Sequence, residues 1–180
     1  LKYARDGNRR LDGLIVFDPP MVPPPGHPLH ERLDGEEKVL RRWAQGRPDG
    51  FDDPAEQAAL FRKSRMLSNW VDGAYELMAE SILRRDEITG KWMLVCSGER
   101  EAEIYHQNAA LNFWPEADEF PMPILVIASD PDSDIPSAPG HACRALRDER
   151  HWPYECVAAT GHFLQIQEPE KCAAITLRFA

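Results

Sequence analysis

Two continuous apolar runs set the strongest limit on this chain. LIVF occupies residues 14–17 and ILVIA occupies residues 124–128. Both are rich in β-branched residues and neither alternates with polar ones. That is the pattern of strands buried on both faces, as in a parallel sheet. Each run ends among aspartates: Asp18 after the first, and Asp130, Asp132 and Asp134 after the second. Beyond the second run the spacing predicts a helix over 137–150, a third strand over 154–160 and a last helix over 168–179 with Pro169 at its start. Strand–helix–strand–helix implies parallel strands covered by helices. Three strands are too few for a stable open sheet of this kind. The expected fold class is therefore α/β, with residues 1–20 and 121–180 forming the end of a larger parallel sheet and residues 21–120 a mainly helical insertion.

Within the insertion, residues 36–44 read as a short helix. A longer one is predicted from Asp53 to about residue 84. Asp53 is its N-cap, Pro54 takes the first helical position, and Glu56 completes a capping box. Its apolar stripe is Leu60, Ser64, Leu67, Val71, Ala74, Met78 and Ile82. Residues 92–96 read as a strand, 99–107 as a helix with Glu99, Glu101 and Glu103 on a solvated face, and 112–123 as a linker.

The 180 residues carry a formal net charge of -9. A negative surface disfavours nucleic acid and anionic membranes as partners. No apolar stretch approaches the roughly 20 residues of a membrane span. The first residues lack a signal-peptide core. Leu1 opens the chain in place of a methionine, so upstream sequence is expected to have been removed or left out. Cys96, Cys143, Cys156 and Cys172 are scattered, with no C-x-x-C pair. They read as free buried thiols of an intracellular protein, a single disulfide being the alternative.

In α/β sheets ligands gather at the carboxyl ends of strands. Here those ends supply Asp18, the three aspartates after residue 128, and His162 on the turn after the third strand. A carboxylate that accepts from one imidazole nitrogen leaves the other free as a base near neutral pH. The aspartate triplet is not an EF-hand, because Ile135 and His141 stand where Gly and Glu are required. His27 and His30 have no third ligand grouped with them, and no metal or cofactor is expected.

PILVIASDPDSDIP followed by ATGHFLQIQEPEKC resembles the last third of an α/β-hydrolase. That family has a P-x-L-V-I-x-G strand before its acid loop, then G-H-F and an E-x-P-E helix. GLIVFDPPMV resembles the strand that leads into the family's helical cap. The resemblance implies that His162 is the catalytic base. It places the acid at Asp132, with Asp18, after the earlier strand, as the second choice. No G-x-S-x-G elbow or variant occurs in these residues, and no H-G-type oxyanion loop precedes it. The nucleophile is thus expected on an N-terminal half or a companion chain. The implied reaction is hydrolysis of an ester-like or other small apolar substrate, most simply by a serine. An aspartate nucleophile would give epoxide hydrolase or dehalogenase chemistry. Trp70, Trp92 and Trp114 are candidates for the substrate pocket. The alternative is a non-catalytic subunit that docks on a partner chain through an open sheet edge and binds a ligand.

Overall fold

A computed structural model of the chain describes residues 1–7, 11–135 and 137–179. A single-turn α1 (Lys2–Arg5) precedes β1 (Leu14–Phe17). The insertion then contains α2 (His30–Gly46), β2 (Gly50–Phe51), α3 (Pro54–Lys63), α4 (Ala74–Ile82), β3 (Leu83–Arg85), β4 (Trp92–Leu94) and α5 (Gly98–Ala110). After it come β5 (Ile124–Ser129), α6 (Ala138–Arg150), β6 (Tyr154–Val157), the short α7 (Leu164–Gln167) and α8 (Pro169–Phe179).

The main sheet has the order β1-β5-β6 and is wholly parallel. Leu14 lies opposite Ile124, and Val126 opposite Tyr154. Side chains alternate between the two faces, as the pleat requires. Val126 and Ala128, with Leu14 and Val16, pack on Ala142, Cys143 and Leu146 of α6 and on Trp152. Leu125, Ile127 and Val157, with Ile15 and Phe17, pack on Leu164, Cys172 and Ile175 from α7 and α8. One helix layer on each face explains the uninterrupted apolar run: all six residues of β5 are buried. β1 is only half-buried along its length, and its outer side is unpaired among the described residues.

The insertion departs from its expected form in two places. The long helix predicted from Asp53 breaks after Lys63. A 3-10 turn (Arg65–Leu67) and left-handed residues at Asn69 (φ 62°) and Gly73 (φ 78°) intervene before α4. The predicted stripe fails with it, since Leu60 and Val71 are exposed. The helix folds back on itself because Trp70 packs among Phe61, Tyr75 and Phe163, a burial that a straight helix would not allow. The second departure is a small antiparallel sheet, order β2-β4-β3. The Asp86 carboxylate holds its hairpin turn by accepting from the backbone N–H groups of Ile88 (3.1 Å) and Thr89 (2.7 Å). The linker over 112–123 places Trp114, Phe120 and Met122 in the core. Among the cysteines, all free, Cys143 and Cys172 are buried but Cys156 is exposed.

Candidate active site

β1 ends at Phe17, and the chain turns sharply at Asp18, whose φ is 43°. Its N–H donates to the Ile127 carbonyl (2.9 Å), so the turn is fixed to β5. The Asp18 side chain is fully buried. Oδ1 accepts from the Ser129 N–H (3.1 Å), and Oδ2 accepts from the Ser137 hydroxyl (3.0 Å). The Ser129 hydroxyl lies 2.9–3.0 Å from both oxygens and 2.7 Å from the Ser137 hydroxyl. Burying a carboxylate requires such a shell of donors. Oδ2 also accepts from His162 Nδ1, at 2.9 Å. Beneath this group the Cys143 thiol is pushed well up, first by burial and then by the neighbouring Asp18 carboxylate. Cys143 is fully buried and packs in the core between β5 and α6.

Gly140, in the first turn of α6, makes this shell possible. A Cβ there would come within 2.6 Å of the Ser129 hydroxyl and 3.2 Å of its carbonyl. Gly140→Ala is expected to destabilise the protein by about 1–3 kcal/mol through overpacking. Urea unfolding of the complete protein measures this.

His162 is held by the turn after β6. The Thr160 hydroxyl donates back to the Val157 carbonyl (2.6 Å), and the Asp130 N–H donates to the Thr160 carbonyl (3.1 Å). Asp130 accepts from the Ala159 N–H through its other end (3.0 Å), so it braces the turn. Next to the histidine, Gly161 donates to Gln167 Oε1 (2.8 Å), and any Cβ at Gly161 would lie 2.4 Å from Ile135 Cγ2. Gln167 Nε2 donates in turn to the Ser68 carbonyl in the insertion (2.6 Å). The imidazole sits edge-on to Phe163 and is about one third exposed. Its Nε2 has no hydrogen bond among the described residues.

The carboxylate against His162 is thus Asp18. Asp132, the position ranked first in the sequence, is elsewhere: its side chain is exposed and its carboxylate pairs with Arg144 at 2.7 Å. The loop after β5 reaches away from His162, because Asp130 is bound to the β6 turn and Ser129 fills the space beside Asp18. Ser129 and Ser137 were missed in the sequence. The signal was present at Ser129, which stands where the family strand pattern carries glycine.

A cavity of about 680 Å³ opens beside His162, between the carboxyl ends of the strands and the insertion. Trp70 lines it, with Phe61, Phe163, Leu33, Leu40 and Trp43. The other two candidate tryptophans do not. Trp92 lies in β4, paired across the small sheet with Phe51 and Arg85. Trp114 packs in the core on the α6 side, edge-on to His27. The polar residues of the cavity include Glu37 and Arg47. Glu101 is drawn in from its expected solvated face: it pairs with Arg47 and accepts from the Tyr105 hydroxyl (2.8 Å). Of the other histidines, His27 contacts Glu149 (2.7 Å) and His30 contacts the Pro23 carbonyl (2.7 Å). No helix among the described residues is long and apolar enough to cross a membrane.

No protein-family model and no curated protein matches the sequence. Solved structures do. E-2-(acetamidomethylene)succinate hydrolase is similar at a TM-score of 0.65 and 18% identity, over 97% of this chain and 59% of that one. An alpha/beta hydrolase from Novosphingobium aromaticivorans gives 0.60 and 20%, over 98% and 59%. The thioesterase domain from the curacin biosynthetic pathway gives 0.56 and 13%, over 98% and 61%. At these identities the likeness is one of fold. The chain has the α/β-hydrolase fold, and it spans about three fifths of the length of these structures.

Proposed function

We propose that the chain is the acid–base and cap-bearing part of a hydrolase, with His162 as general base and Asp18 as the carboxylate that orients it. The observation that carries this is the 2.9 Å contact between His162 Nδ1 and the buried Asp18. With Asp18 ionised, such a contact would hold the proton on Nδ1 and leave Nε2 as the acceptor in a residue that lines the cavity. A nucleophile attacking an acyl carbon would give its proton to Nε2, and the imidazolium would be stabilised by Asp18. Nε2 would then deliver that proton to the leaving group and activate water in the second half of the reaction. The mainly apolar cavity suits a small apolar substrate.

The sequence contains no nucleophile elbow, so the nucleophile is assigned to polypeptide outside these residues. It would enter through strands added to the open edge of β1, which supports an N-terminal half or companion chain at that edge. A serine is the simplest choice. The free cysteines suit a reducing, intracellular setting.

The test is labelling of the complete protein by a fluorophosphonate probe, followed by mass mapping of the modified residue. Labelling of a serine outside the 180 residues is expected, with a rate that falls roughly 10²–10⁴-fold in His162→Ala. Undiminished labelling in that variant would remove the base assignment. Absence of labelling with retained epoxide or haloalkane hydrolysis would point to an aspartate nucleophile. Absence of labelling and of any hydrolysis would favour the docking subunit.

A further inference from the structure

Glu37 stands out in the cavity beside His162. It projects from α2, is 8% exposed, and lines the same cavity as Trp70 and His162. One oxygen, Oε1, accepts from Asn108 Nδ2 of α5 at 3.2 Å. The other, Oε2, is buried and has no hydrogen-bond partner among the described residues. Arg47, which follows α2 and lines the same cavity, is already paired with Glu101. Asn108 is itself fixed, since Nδ2 also donates to the Pro20 carbonyl at 3.1 Å. So one half of the carboxyl is anchored and the other is buried without a donor, in a residue that lines a largely apolar cavity. Burial pushes the Glu37 carboxyl up, and the Asn108 amide only partly opposes this. That direction fits an oxygen taken from water without a compensating donor.

A buried carboxyl costs stability unless its oxygens are satisfied. Aliphatic neighbours such as Leu33 and Leu40 show that an apolar residue would suit the site in the empty protein. We propose that Glu37 determines specificity by accepting a hydrogen bond from an N–H or O–H group of the substrate. The substrate class of the site is then an acyl compound carrying one such donor, in place of a plain hydrocarbon ester. This deepens the hydrolase reading and relies on its cavity. Its test is separate, because it reads binding and not turnover.

The probes are hexanamide and 2-heptanone, which have the same shape and differ by an NH₂ in place of a CH₃. Their Kd values for the complete protein are measured by ligand-observed NMR. An amide N–H buried without a partner weakens binding, so a cavity lacking an acceptor prefers the ketone. Wild type is expected to bind hexanamide more tightly by about tenfold. Glu37→Leu is expected to reverse the order. Glu37→Gln keeps the shape: its carbonyl faces Asn108 and its NH₂ faces the ligand, so it loses the amide preference as well. Equal binding of the two probes in wild type would overturn the proposal, leaving the oxygen to a water molecule. So would an amide preference that survives in either variant. Failure of the fluorophosphonate and hydrolysis assays would leave these ratios unaffected.

Discussion

Asp18→Asn is expected to lower kcat of the complete protein about 10⁴-fold, while Asp132→Asn leaves it within about threefold. The large effect follows from the donors around Asp18. Its Oδ1 is bound to a backbone N–H that can only donate, that of Ser129. An asparagine must therefore turn its carbonyl oxygen to Ser129 and its NH₂ to His162. The imidazole then accepts at Nδ1 and carries its proton on Nε2, which can no longer act as the base. Shape and burial are kept, so the loss is in the tautomer and not in folding. Asp132 pairs with Arg144 on the surface, where such pairs contribute little. Steady-state kinetics on a chromogenic ester, with circular dichroism as a folding control, separates the two. Loss of activity in Asp132→Asn and not in Asp18→Asn would reverse the assignment.

Trp152→Ala is expected to destabilise the protein by about 3–5 kcal/mol, a large share of a typical domain's total. Trp152 follows the left-handed cap residue His151 at the end of α6 and is 2% exposed. It packs edge-on to Phe120 with ring centroids 5.3 Å apart, and its Nε1 donates to the Pro115 carbonyl at 2.9 Å. Truncation removes a large apolar surface, leaves a cavity and strands a buried carbonyl, and these losses act together. It should also loosen residues 113–122, which this side chain pins to the sheet. Urea unfolding of the complete protein gives the value. Ile88→Ala, at a side chain that is 95% exposed, is the control and should stay within about 0.5 kcal/mol of wild type.

The parallel sheet was legible because its code is local. The apolar run of β5 needs two covering layers, and Ser137 caps α6 by accepting from the Gly140 N–H (3.2 Å). The same holds for α5, where the Ser97 hydroxyl accepts from the Arg100 N–H (3.3 Å). What was not legible depended on contacts between distant segments. The helical spacing from residue 54 onward is real, but Trp70 gains more by turning back onto Phe61 and Phe163 than by continuing a helix. The strands β2 and β3 are two and three residues long, below what periodicity can resolve, although the Asp86–Gly90 turn between β3 and β4 was a usable hairpin signal. The turn that carries His162 was legible as a strand end. Which carboxylate meets the imidazole was not, since two strand ends offered one and the packing of Ser129 and Ser137 holds Asp18 there.

Gln167 joins parts that chain order keeps apart. Its amide is bonded at one end to Gly161, beside His162, and at the other to Ser68 of the insertion. The insertion is also stitched to this region by Val71, which donates to the Ile166 carbonyl (3.2 Å), and by Arg65, which donates to the Asp134 carbonyl (2.9 Å). The stretch between α3 and α4 thus belongs to the histidine's mounting and is a poor hinge for a lid. A gate that swung there would release the imidazole each time it admitted a molecule. A path into the cavity that leaves the imidazole aligned would run instead on the side of α2, the helix that carries Glu37.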